Sequence, residues 1–197
     1  MYTAAVLLRN VVEQRGDDIQ VNWRYFSLEQ VNQKVGPDFK VWEQPDDYPS
    51  KGLWAMRAAE AVRRHQGEEA FLRFHWALLA ARHVDRKEID DVQVVLEVAR
   101  SVKVDAERLE RDIRDRSILQ AIARDHTTSV DQYGAFGTPT FVFPNGGAAY
   151  LKMLRPRPED SLRTWDNVLA LMQDDLFVGE VKRPQPPWPK GISAARS

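Results

Sequence analysis

Tyr133-Gly134-Ala135-Phe136-Gly137-Thr138-Pro139-Thr140-Phe141-Val142-Phe143 is the stretch whose reading decides the fold. It holds a change of period. Up to Tyr133 the apolar residues recur at helical spacing, and Gly134 supplies the stop. Thr140-Phe141-Val142-Phe143 reads as a strand, Pro144-Asn145-Gly146-Gly147 as a turn, and Ala148 to Leu154 as a second strand, so a hairpin follows the helix. Pro139 stands at the point of change. An X-Pro bond is trans by base rate.

Upstream, Leu53 to Val130 reads as almost wholly helical. The expected helices are Leu53–His65, Glu68–Arg82, one capped by Asp90 and running to Val102, one capped by Asp105, and Leu119–Tyr133. Phe71, Phe74, Leu78 and Leu79 form one apolar stripe. Between Asn32 and Lys51 the pairs Gly36-Pro37, Gln44-Pro45 and Tyr48-Pro49 predict a long surface loop. Further back, Ile19 to Phe26 alternates: Ile19, Val21, Trp23 and Tyr25 point one way, and Gln20, Asn22 and Arg24 the other. That pattern predicts a half-buried strand. Tyr2 to Gln14 predicts a helix stopped by Gly16. Downstream of the hairpin, Pro158, Glu159 and Asp160 open a last helix through Met172, and a Pro-rich tail follows.

Composition sets the outer limits. Lys plus Arg total 28 against 29 for Asp plus Glu, a net charge of −1 in 197 residues, which offers no basic field to nucleic acid. No apolar run is long enough to span a bilayer. Met1 to Asn10 has no basic stretch ahead of its apolar residues, so it does not read as a secretion signal, and a cytoplasmic location is expected. The absence of cysteine excludes disulfides, thiolate metal sites and a cysteine nucleophile.

The stretch around Gly137-Thr138-Pro139 resembles the loop that carries a cis-proline in DsbA-like thioredoxin-fold proteins, and with the matching order of elements around it the resemblance implies a cis bond before Pro139. Asn22 to Asn32, Phe74 to Leu79 with His83, and Leu162 to Lys182 resemble a FrnE-like, mycothiol-linked branch, related to 2-hydroxychromene-2-carboxylate isomerases and kappa-class glutathione transferases. The resemblance implies an α/β, thioredoxin-like fold with an inserted all-helical subdomain: residues 1–50 and 131–182 as the thioredoxin-like domain, 51–130 as the insertion, and 183–197 as an extended Pro-rich tail. It places Gly137, Thr138 and Pro139 at the substrate-binding position, where the backbone of Thr138 would pair with an extended substrate. It implies thiol–disulfide exchange on proteins or small thiols, with glutathione or mycothiol as co-substrate and no bound cofactor.

The chain departs from that family at its start. There, a first strand leads to Cys-x-x-Cys at the N-terminus of the first helix, where unpaired N–H groups lower the thiol pKa. Here Met1 and Tyr2 already stand at the helix, so the first β-strand is expected to be missing and no catalytic residue is identifiable. A start codon upstream, a degenerate member that pairs with another copy, and a rearranged sheet are the three expectations. The functions that follow are an oxidoreductase-family protein without its dithiol, a non-catalytic module binding an extended peptide or a small molecule, and a thiol-cofactor-dependent isomerase with a serine before Met1. The expected partners are peptide or small-molecule thiols and a second copy of the chain, not nucleic acid or membrane. His75 and His83, eight residues apart, lack a third ligand, so no metal is expected. His126 reads as a surface residue, and Asp17-Asp18 and Asp90-Asp91 as turn and cap residues.

Overall fold

Tyr2–Arg15 forms the first helix, α1. Straight-chain and small apolar residues carry it, and it ends at Gly16, whose φ of 61° only glycine adopts at little cost. In this computed structural model residues 1–182 are described. The expected extended tail of residues 183–197 lies outside them. A tight 3-10 turn, Gly16–Asp18, follows α1.

The segment from Ile19 to Phe26 is not a strand, contrary to expectation. Its side chains do alternate: Ile19, Val21 and Trp23 are half-buried and Gln20 and Asn22 exposed. What it lacks is a ladder, because no described strand lies alongside it. Period-2 burial reports on one face of the chain, whereas a strand also needs a partner backbone.

Two compact units divide the chain. Residues 1–23 together with the chain from Val130 onward make one, and Arg24–Ser129 the other. The sequence had placed these boundaries at 50 and 130.

In the first unit the sheet is a two-stranded antiparallel hairpin, β1 Thr140–Val142 and β2 Ala148–Tyr150, with Phe141 opposite Ala149. β2 is shorter than the expected Ala148–Leu154. Opposite Leu151 stands Pro139. Its carbonyl accepts from the Leu151 N–H at 3.1 Å, but it has no N–H to return, so the ladder ends. The last helix, α8 Ser161–Leu169, follows a turn at Pro158–Asp160 and runs on into a π turn at Ala170–Asp174. Leu7, Leu8 and Val11 of α1 meet Phe143, Ala149 and Trp165 in the core of this unit. α1 and α8 are also tied by Asn10 Nδ2 donating to Ser161 Oγ at 2.9 Å and by the Arg15–Asp166 ion pair.

The second unit is helical: α2 Leu28–Asn32, α3 Leu53–Gln66, α4 Glu68–His83, α5 Val92–Ser101, α6 Ala106–Asp112 and the greater part of α7 Leu119–Tyr133. Phe71, Phe74, Leu78 and Leu79 are buried as a stripe of α4. Asp105 caps α6, its side chain accepting from the Arg108 N–H. The cap of α5 is Asp91, which accepts from the Gln93 N–H. Asp90, expected there, instead accepts from the Gly52 N–H at the start of α3. The expected long loop carries a 3-10 turn, Val41–Glu43, and Asp46 anchors it. Both the buried Arg57 and Arg116 donate to Asp46 Oδ1, at 2.8 and 2.6 Å. Burial opposes ionisation of Asp46, and the two guanidiniums outweigh it, holding the carboxyl below its usual range.

Candidate functional site

The loop between α7 and β1 is built by glycine at two points. Gly134, at φ 61°, closes α7, and its N–H bonds to Val130 O at 3.0 Å. Ala135 then turns inward and is buried, while Phe136 turns outward and is 66% exposed. Gly137 is buried for a steric reason: a Cβ there would stand 3.2 Å from Cε2 of Tyr150. The missing side chain lets the Tyr150 ring of β2 lie against the loop. Phe136 and Tyr150 form a tilted pair with centroids 4.9 Å apart, and Tyr150 is itself 39% exposed.

The backbone beyond Gly137 is held from both sides. Thr140 Oγ1 donates to Gly137 O at 2.8 Å, and Pro139 O is taken by Leu151 N–H. The Thr138–Pro139 peptide is cis. Thr138 is half-buried, and its N–H and C=O have no hydrogen-bond partner among the described residues. The half-buried Thr138 and Pro139 thus follow directly on Gly137, which is buried against the Tyr150 ring of the exposed aromatic pair. Sequence reading missed Phe136 and Tyr150. Tyr150 was within reach, since alternation about the buried Ala149 sends Ala148 and Tyr150 to the opposite face.

At the start of α1, Thr3 Oγ1 donates to Met153 O at 2.9 Å, which ties that end of the helix to the segment leaving the hairpin. Neither Met1 nor Tyr2 brings a thiol.

A profile of the DSBA-like thioredoxin domain matches residues 2–159. The chain belongs to that family. The uncharacterized protein Rv2286c of Mycobacterium tuberculosis is 28% identical over 188 residues, which are 94% of this chain and 77% of that one. The ClpXP adapter protein SpxH of Bacillus subtilis is 29% identical over 111 residues, 55% of this chain and 36% of that one. DSBA-like domains belong to a thiol–disulfide oxidoreductase type of family, yet this chain contains no cysteine. No thiolate of its own can open a disulfide.

The histidines fall elsewhere. His126 is not at the surface, as expected, but 5% exposed. Its Nδ1 accepts from the Ser27 N–H at 3.1 Å, and its ring lies 4.8 Å from Phe26 and 5.2 Å from Trp42. A helix carries one such inward polar residue without disturbing its apolar spacing, so periodicity gives no sign of it. His75 stacks on Phe71 at 5.5 Å, and burial pushes its pKa down to about 4, with Arg63 adding to the effect. Among the described residues no group of three or more His, Asp or Glu side chains could hold a metal. Among the described residues no helix is long and apolar enough to cross a membrane. A depression in the helical unit is lined by Trp42, Glu43, Arg116, Leu119, Gln120 and Ala123, with no serine, threonine or cysteine among them.

Proposed function

We propose that this chain is a binding scaffold of the thiol–disulfide oxidoreductase type, holding an extended peptide or a thiol-bearing small molecule at Gly137–Pro139. The observation that carries this is the open backbone of Thr138 beside the exposed Phe136–Tyr150 pair. A backbone N–H and C=O side by side suit a segment that adds as a strand would, and the aromatic pair offers it apolar cover. Within residues 1–197 the work is recognition, and exchange turnover calls for a dithiol supplied by other residues or by a low-molecular-weight thiol such as glutathione or mycothiol. The resemblance to a mycothiol-linked branch supports the second source. The relative named as a ClpXP adapter protein is a precedent for an adapter role.

The test is titration of the protein with disulfide-containing and cysteine-free extended peptides, followed by amide shifts. Binding that moves the Gly137 and Thr138 signals and weakens in Phe136→Ala supports the reading. Binding that leaves both untouched refutes it. In the same samples, insulin-disulfide reduction by the cysteine-free chain is expected to stay at the uncatalysed rate, and catalysed reduction there would refute the assignment of redox turnover to groups outside residues 1–197.

A further inference from the structure

Arg57 lies within the helical unit, on α3, and is only 1% exposed. Trp54, one turn earlier on the same helix, holds the guanidinium over its ring at 4.2 Å from the centroid. Nη1 donates to Asp46 Oδ1. Nε and Nη2 are buried and have no hydrogen-bond partner among the described residues. These two atoms make up one edge of the planar fork, so their N–H groups run side by side and suit a shared acceptor. Burying charged donors without an acceptor costs more than leaving a neutral one unmatched. The same oxygen of Asp46 also takes Arg116 Nη1, so one carboxylate serves two guanidiniums.

Arg57 lines a small cavity of about 10 Å³, together with Gln44, Asp46, Tyr48, Ser50 and Trp54. That is room for one water-sized body and for nothing polyatomic. Asp46 is the one acidic residue of the lining, and its Oδ1 is already shared. We propose that this cavity is a site for a chloride-sized monatomic anion, held by the Nε–Nη2 edge of Arg57. A halide accepts from both N–H groups at once and brings the negative charge that two guanidiniums on one carboxylate call for, whereas a water would bring an acceptor without the charge. The site is structural. It fixes the rotamer in which Arg57 holds Asp46, and Asp46 in turn anchors the loop after Val41–Glu43 and the 3-10 turn at Arg116–Ile118. Halide concentration thereby sets how firmly that loop is fastened to α3.

The test is a set of thermal melts of the whole chain in sodium chloride, bromide and fluoride. Ionic strength is held constant with gluconate, an anion too large for the cavity. Chloride and bromide are expected to raise the midpoint along a saturating curve, by about 3 °C once the halide stands about tenfold above its dissociation constant. Fluoride, which holds its hydration more tightly, should raise it little. Arg57→Lys keeps the charge and removes the two-donor edge, and should abolish the rise. Crystals of the wild-type protein grown in bromide supply a readout that needs no variant: an anomalous peak within hydrogen-bond reach of Arg57 Nε and Nη2 is expected. A midpoint indifferent to halide overturns the proposal, as does a rise that persists in Arg57→Lys. So does a bromide map with a water, or nothing, at that edge, and where Arg57→Lys does not fold the map decides alone.

Discussion

At the residue scale the proline loop depends on what Gly137 leaves out. Gly137→Val would drive a branched side chain into the Tyr150 ring, already within 3.2 Å of a bare Cβ. It is expected to lower stability by about 1–3 kcal/mol and to weaken peptide binding, read by denaturant melts and titration. Tyr150→Ala, on an exposed position, should weaken binding about tenfold while shifting the melt little. His75 gives a pH dependence with a definite sign. In the unfolded chain it titrates near the ordinary value of about 6.5, and in the folded protein near about 4. The unfolded chain therefore takes up the proton first. Stability should fall as pH drops from about 6.5 to about 4 and level off below, by roughly 3 kcal/mol in all. Urea melts of His75→Phe should be flatter than wild type over the upper half of that window, and an unchanged slope would reject the assignment.

At the element scale, Asn10 is the polar tie between α1 and α8. Its Nδ2 donates to Ser161 Oγ, which in turn donates to Arg157 O. Asn10→Ala should cost about 1–2 kcal/mol, measured as a lowered denaturant midpoint. The helices were legible in the sequence because their ends are written locally: Gly16 and Gly134 at C-termini, Asp105 at an N-terminus. The boundary of α5 was misplaced by one acidic residue because Asp90 and Asp91 are equally good caps by type. Which of them faces the helix is settled by the Gly52 N–H, far away in sequence. The alternation of Ile19–Trp23 was legible and its lack of a ladder was not, since pairing depends on another backbone. The buried place of His126 was likewise illegible, because Ser27, Phe26 and Trp42 reach it from distant parts of the chain.

At the scale of the whole molecule, the family and the proline loop could be read from a few residues, whereas the residues around the loop needed coordinates. Phe136 and Tyr150 meet because β1 and β2 pair in one register, and composition carries no trace of that register. The cysteine count was legible without any structure, and it decides what the domain can do by itself. Within residues 1–197 there is no thiol to form or open a disulfide.

The stretch Ile19–Trp23 also has a meaning for protein quality control. Its five residues contain neither charge nor proline, the makeup of a segment that seeds aggregates when it is left uncovered. Asp18 and Arg24 stand at its two ends as gatekeepers. Asp18→Asn should shorten the lag before thioflavin-positive fibrils form under mildly denaturing conditions, even where the folded protein melts as before.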